Sequence, residues 1–210
     1  APTWATVAMA QVIRSRLSAQ RKGATLYAVP AEDHVLNLPV GSNITGAYVA
    51  EQIARVPNMN NTGRLPSIAL VHIEMEIRLT NTVEPPEEVT DSTGTVIGID
   101  LDPVDVGIAA QSDGVVVLRR LPLAIIVKLH NVTTEFLPPI PCFLHAADDA
   151  QRDCLNCGFR PGCVAIQPQL SRRPFVVNVP SPATEQSDYN LRVQRRQLPT
   201  TIKTASTLHT

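Results

Sequence analysis

The residues whose types and spacing could do chemistry lie close together near position 150. Two pairs, Cys142 with His145 and Cys154 with Cys157, each have two residues between them, which is the ligand spacing of structural zinc sites. Cys163 is an alternative fourth ligand, and the glycine after Cys157 permits the tight turn that such a pair makes. The cluster therefore predicts a structural zinc ion bound by these side chains.

Two other states of the cysteines fit the same sequence. In a reducing compartment all four would stay free thiols. In an exported protein their even number would favour disulfide bonds. Three sequons, at Asn43, Asn60 and Asn131, would permit glycosylation in the exported case. Zinc, free thiols and disulfides therefore stay open as alternatives.

Basic side chains are concentrated towards the C-terminus. The 210-residue chain as a whole has 18 basic and 19 acidic residues, which excludes a globally basic nucleic-acid binder. Residues 152–210, however, carry eight basic residues against three acids. Such a surface would attract a polyanion, although the same composition also suits an ordinary solvated face.

Motifs for self-contained catalysis are absent from the sequence. It has no GxxxxGK[ST] phosphate loop, no GxGxxG turn, no GxSxG elbow and no HExxH. The five histidines are scattered, and His72 and His130 lie in strand-like patterns where a structural histidine is the better interpretation. The longest apolar run, residues 121–127, is far shorter than the ~18 residues that span a membrane. Neither a self-contained enzyme nor a transmembrane protein is predicted.

The pattern along the chain predicts two helices followed by short strands. Apolar residues at helical spacing behind Thr3 predict a helix over residues 4–20, and Ser42 or Thr45 could cap a second helix that ends before Pro57. Period-2 alternation between turn residues, with 18 prolines mostly at the boundaries, predicts strands. The predicted strands are residues 26–29, 68–73, 75–80, 93–101, 114–118, 123–129, 163–166 and 175–179.

The predicted fold class is α+β, mainly β. Residues 1–65 form a mixed helical segment, residues 66–180 a β-rich barrel-like domain with a cysteine-containing loop at 138–163, and residues 181–210 a basic C-terminal segment. Gly94 and Gly98 permit a bend or bulge in the strand over 93–101. Gly98 lies between two isoleucines, where a side chain would press on a neighbouring strand, so this strand is predicted to be structural.

Three blocks of the sequence resemble, in order, the C-terminal half of the Pif/RecD-like DNA helicases, especially the helicase module of Helitron-type transposons. The first block is IEMEIRLTNTV at residues 73–83. The second is GTVIGI at residues 94–99, followed by LAIIVKL at residues 123–129. The third is RQLP at residues 196–199, followed by TLH at residues 207–209. The resemblance covers roughly residues 64–210, and nothing in the chain matches the phosphate loop or the acidic metal motif of the family's first lobe.

The resemblance implies a fold and a role. In such helicases two RecA-like lobes bind ATP, and a small SH3-like β-barrel on the second lobe braces single-stranded DNA. The chain would then contain such a barrel and the edge of a RecA-like lobe, in a nuclear or organellar setting. Arg195, Arg196, Thr207 and His209 would face the nucleic acid. Because the ATP-binding motifs are missing, the chain alone is not expected to hydrolyse ATP.

Two functions follow as hypotheses. The first is a non-catalytic portion of an ATP-dependent DNA helicase-like protein that binds single-stranded nucleic acid. The second is a structural or accessory β-rich subunit, with a helicase-derived fold, in a larger assembly of protein subunits. A chain that purifies alone favours the first hypothesis, whereas one found only within a complex favours the second.

Overall fold

The fold was derived from a computed structural model of the chain, which describes residues 4–38, 46–54, 65–80, 92–108, 114–130, 132, 162–180 and 188–203. These residues contain two helices, α1 (Trp4–Lys22) and α2 (Gly46–Ala54), and a 3-10 turn at Pro103–Asp105. The strands are β1 (Leu26–Pro30), β2 (Glu32–Val35), β3 (Ile68–Val71), β4 (Glu76–Leu79), β5 (Thr93–Asp100), β6 (Val115–Val117), β7 (Ala124–Leu129), β8 (Cys163–Ile166), β9 (Gln169–Leu170), β10 (Phe175–Val179), β11 (Tyr189–Gln197) and β12 (Thr200–Ile202). The prediction of a mainly β chain with two N-terminal helices is confirmed.

The strands form three sheets. The first sheet has the order β3-β1-β6, and the third has the order β12-β4-β5-β7-β8. The second has the order β10-β11-β2, and β9 also pairs with β11. Over the described ranges none of the sheets closes into a barrel, so the predicted SH3-like barrel is not confirmed. No helix in the same part of the chain is long and apolar enough to cross a membrane.

The buried apolar residues form three clusters. The largest joins the first and third sheets and includes Val29, Val71, Ile77, Val96 and Val127. A second cluster packs Val49 and Ile53 of α2 against the inner side chains of β10 and β11. A small third cluster places Ala19 of α1 against the first sheet. Each sheet therefore has one face in a core, as the period-2 alternation of its strands requires.

Strand β11 lies where only a basic segment was predicted. Its inward positions are apolar at Leu191 and Val193 but polar at Arg195 and Gln197, all of them buried. Polar residues thus occupy both faces in the second half of the strand, and the alternation that predicts a strand is lost. β11 pairs with β2 and with β10, so hydrogen-bonded pairs link all three of the predicted segments.

The pairing of strand β5 with β7 is irregular near its glycines. Its register against β7 shifts between Val96 and Gly98, which marks a β-bulge or irregularity. The shift falls between Gly94 and Gly98, the two glycines that were expected to permit a bend or bulge.

Candidate nucleic-acid interface

Strand β11 presents alternate side chains to opposite faces of the second sheet. Arg192 and Arg196 are exposed, whereas the alternate residues Leu191, Val193 and Arg195 are buried. The cross-strand partners of the outward residues belong to the same outward face. That face, called here the outward face of the second sheet, comprises Leu170, Val176, Asn178, Asn190, Arg192, Gln194, Arg196, Glu32 and His34.

Two further exposed arginines, Arg172 and Arg173, lie beside this strand in the turn between β9 and β10. Ser171 anchors the turn to β11. Its backbone N–H donates to the Arg195 carbonyl at 2.7 Å, and its own carbonyl accepts from the Gln194 side chain at 3.1 Å. The turn is therefore fixed against the C-terminal half of β11. Its two arginines, together with the exposed pair on the strand, form the arginine patch: Arg172, Arg173, Arg192 and Arg196.

Arg196, which was predicted to face nucleic acid, has a weak ion-pair partner. Its Nη1 lies 3.4 Å from Glu32 Oε2, and the two side chains are 46% and 31% exposed. An exposed pair of this kind contributes at most about 1 kcal/mol. A phosphate can therefore compete with Glu32 for this guanidinium.

Arg195 lies in the core, which corrects its predicted position on the nucleic-acid surface. Its side chain is 2% exposed, and Nε and Nη2 donate to the two carboxylate oxygens of Asp33 at 2.8 and 2.9 Å. Nη1 donates to the Leu65 carbonyl at 3.4 Å, and the guanidinium carbon is 5.4 Å from the centre of the Phe175 ring. The physical reason is strand geometry, since neighbouring residues point to opposite faces and only one arginine of the pair can face out.

The remaining predicted contacts and most of the predicted zinc ligands lie outside the described residues. These are Thr207 and His209, and Cys142, His145, Cys154 and Cys157. Within the described ranges, no group of three or more His, Cys, Asp or Glu side chains is placed to hold a metal ion. The structural zinc ion stays a prediction.

Cys163, the fifth predicted zinc ligand, is a buried free cysteine at the start of β8. Burial raises the pKa of its thiol, and the nearby Lys128 ammonium opposes this only in part. Because the thiolate is the nucleophile, we expect Cys163 to react slowly with iodoacetamide near neutral pH. Peptide mapping by mass spectrometry should find it modified only after denaturant is added. Rapid modification of the folded protein would contradict this placement.

Two histidines have structural roles, as their positions in strand-like patterns indicated. His72 is buried, with Nδ1 2.6 Å from the Ile73 carbonyl and Nε2 3.0 Å from the Ser18 hydroxyl. His130 Nε2 lies 3.0 Å from the Thr95 hydroxyl. Both rings are thus held by neighbouring polar atoms, and neither has a carboxylate in these hydrogen bonds that would orient it for acid–base catalysis.

Comparison with known proteins gives no family assignment. No protein-family model matches the chain, and no curated protein matches it. Among solved structures it is similar to the Pif1 helicase from Candida albicans, with 9% identity and a TM-score of 0.42 over 92% of this chain and 32% of that one. It is also similar to a double-cysteine variant of the Pif1 helicase from Bacteroides, with 5% identity and a TM-score of 0.35. That similarity covers 89% of this chain and 26% of the helicase. The chain thus spans about a third or less of these helicases, and TM-scores below 0.5 do not establish a shared fold.

Proposed function

We propose that this chain is a non-catalytic, nucleic-acid-binding portion of a helicase-like protein, and that it binds single-stranded DNA through the arginine patch. The observation that supports this is the charge of the outward face of the second sheet. Arg192 and Arg196 lie on this face with one acid, Glu32, and the anchored turn adds two exposed arginines beside them. The sequence resemblance supplies the class of ligand and of parent protein.

The proposed binding is electrostatic. A guanidinium that contacts a phosphate displaces condensed counterions, so affinity falls as salt rises. The outward face as defined above carries no aromatic side chain on which bases could stack. Binding is therefore expected to be weak, tolerant of sequence and strongly dependent on salt.

The test is the double substitution Arg192→Ala with Arg196→Ala. Each phosphate contact on a single strand contributes about 0.7 to the slope of log K against log salt. Loss of both contacts should reduce that slope by about 1.4 and weaken binding roughly tenfold at low salt. Fluorescence anisotropy with a labelled oligothymidine, titrated over a range of KCl concentrations, measures both quantities.

A matched control uses Arg119→Ala with Arg120→Ala. These are also adjacent exposed arginines, and their turn is held through backbone N–H groups that donate to the Asp105 carboxylate at 2.9 and 2.8 Å. Removing their side chains therefore leaves the turn intact, and binding should be unchanged. Equal loss of affinity in both double variants would overturn the proposed surface, as would binding that does not respond to salt.

The second candidate function is a structural or accessory subunit of a larger assembly. One observation favours it, namely the apolar side chains that α1 leaves exposed. An accessory subunit needs such a surface for its neighbours, whereas a nucleic-acid-binding module does not. Sedimentation of the purified chain, alone and with oligothymidine, distinguishes the two functions. A DNA-binding module should sediment with the oligothymidine, whereas an accessory subunit should aggregate or fail to bind it in the absence of its partners.

A further inference from the structure

His34 lies on the outward face of the second sheet, between the two exposed arginines of β11. It pairs across the strands with Gln194, and Arg192 and Arg196 lie two residues to either side of that position. Diagonal neighbours of this kind have Cα atoms about 7–8 Å apart. Since the two arginines are about 13 Å apart along the strand, His34 stands opposite the midpoint between them.

The imidazole of His34 is exposed, and in the part of the chain that the structure describes it has no hydrogen-bond or ion-pair partner. Its cross-strand neighbour points elsewhere, because Gln194 Nε2 donates to the Ser171 carbonyl at 3.1 Å. Ser171 follows β9, which pairs with β11 along the edge opposite to β2. The Gln194 amide is therefore directed away from β2, and both imidazole nitrogens are accessible to a bound molecule.

The charged groups around His34 belong to the two paired strands and to the turn of the arginine patch. Arg192, Arg196 and Glu32 share its face, and Glu32 Oε2 is 3.4 Å from Arg196 Nη1. Asp33 points to the opposite face and is paired there with a buried arginine. Helix α2 packs on that opposite face through apolar side chains. Of these groups, imidazole is the one that ordinarily changes its charge between pH 5 and 8.

Two guanidiniums on one face disfavour a proton on the imidazole between them, whereas a phosphate bound there favours it. We propose that His34 takes up a proton when the arginine patch binds DNA, and that it then acts as a further cation of the same surface. His34 has this role only if the patch binds DNA, so the inference rests on the proposed function. Because the bound state holds the proton more tightly, affinity is highest at low pH. It falls as the pH rises through the value at which bound His34 loses its proton.

The test is fluorescence anisotropy with labelled oligothymidine at about pH 5.5 and pH 8, each over a range of KCl concentrations. Thymine gains no proton in this interval, so a change in affinity reports on the protein. Affinity should be about tenfold higher at the lower pH, since an opposite charge a few ångströms away favours a protonated group by a factor of this order. The slope of log K against log salt should also steepen by about 0.7, because one more phosphate contact is made.

Two substitutions identify the titrating group. His34→Gln keeps a polar side chain that does not titrate, and it should bind at both pH values as weakly as the unmodified chain does at pH 8. His34→Lys carries a positive charge throughout and should bind at both pH values with the higher affinity. Glu32→Gln is the matched control, because it removes the other titratable side chain of this face, and it should retain the pH dependence. Thermal melts will verify that the variants fold.

Nuclear magnetic resonance gives a second measurement that a structural histidine would not affect. The imidazole C–H signal that disappears in His34→Gln belongs to His34, and its shift can be followed over pH. With oligothymidine bound, the midpoint of this titration should move to higher pH.

The outcomes separate this role of His34 from the proposed function. Salt-dependent binding that is equal at both pH values, or a pH dependence that survives in His34→Gln, would overturn the role of His34 and leave the proposed function standing. A pH dependence that disappears in Glu32→Gln would overturn it by assigning the proton to that carboxylate. Absence of binding at both pH values would overturn the proposed function, and the role of His34 with it.

Discussion

Asp33→Ala is expected to lower the free energy of unfolding by about 3 kcal/mol or more. The substitution removes both acceptors from the Arg195 guanidinium, whose side chain is 2% exposed and cannot turn towards water. An uncompensated charge in the core is strongly destabilising, and the distant Leu65 carbonyl at 3.4 Å is a poor replacement. Urea unfolding followed by circular dichroism measures the loss.

Glu32→Ala is the matched control, because it breaks the neighbouring cross-strand pair on the same two strands. Glu32 faces Arg196 as Asp33 faces Arg195, but both members of the Glu32 pair are partly exposed. Its loss should cost less than about 1 kcal/mol. A double variant, Arg195→Met with Asp33→Leu, should recover much of the stability that Asp33→Ala loses, since it leaves no charge buried. Equal losses from Asp33→Ala and Glu32→Ala would show that burial does not distinguish the two pairs.

The buried pair also changes how arginine variants of β11 must be interpreted. Arg195→Ala would leave the Asp33 carboxylate, 18% exposed, without its partner and would open a space in the core beside Phe175. Loss of DNA binding in a variant that includes Arg195→Ala would therefore report unfolding. Only substitutions in the arginine patch separate binding from stability.

The helices and most strands could be predicted from the sequence because their apolar residues follow one period. Strands β8 and β10 have the predicted bounds, and both bury alternate or successive apolar residues. β2 was missed because Glu32, Asp33 and His34 make three of its four residues polar. β11 was missed because Arg195 occupies an inward position. Both strands depend on pairing with partners that are distant in the chain, and local patterns carry no information about such pairing.

The candidate site was predicted only in part, because strand β11 was missed. Arg196 was singled out by its place in the resemblance, but its neighbour Arg195 was placed on the same surface. Had residues 189–197 been interpreted as a strand, Arg192 would have joined Arg196 on one face and Arg195 would have joined Leu191 on the other. The exposed turn at Arg172 carries no periodic signal, and its proximity to β11 emerges only from the pairing of β9 with β11 and the hydrogen bonds of Ser171.

Gly94→Ala is expected to destabilise the protein by about 3 kcal/mol, which corresponds to a fall in melting temperature of roughly 6–12 °C. A Cβ at this position would lie 2.6 Å from Val127 Cγ1, 2.7 Å from the Lys128 carbonyl oxygen and 3.2 Å from Leu129 Cα. Two of these atoms belong to the backbone of β7, which is hydrogen-bonded between β5 and β8. Strand β7 cannot move aside without disturbing its backbone hydrogen bonds to β5 and to β8.

Gly98→Ala, in the same strand, is the matched comparison and should cost less than about 1 kcal/mol. A Cβ there would lie 3.3 and 3.4 Å from Ile126 side-chain atoms, which can shift by the few tenths of an ångström required. The sequence alone singled out Gly98, because its flanking isoleucines are evident there, whereas the close approach of β7 to Gly94 is not. Neither glycine belongs to the arginine patch, so DNA affinity per folded molecule should be unchanged in both variants. A Gly98→Ala variant less stable than Gly94→Ala would show that the bulge, and not the close approach of β7, is the tighter constraint on β5.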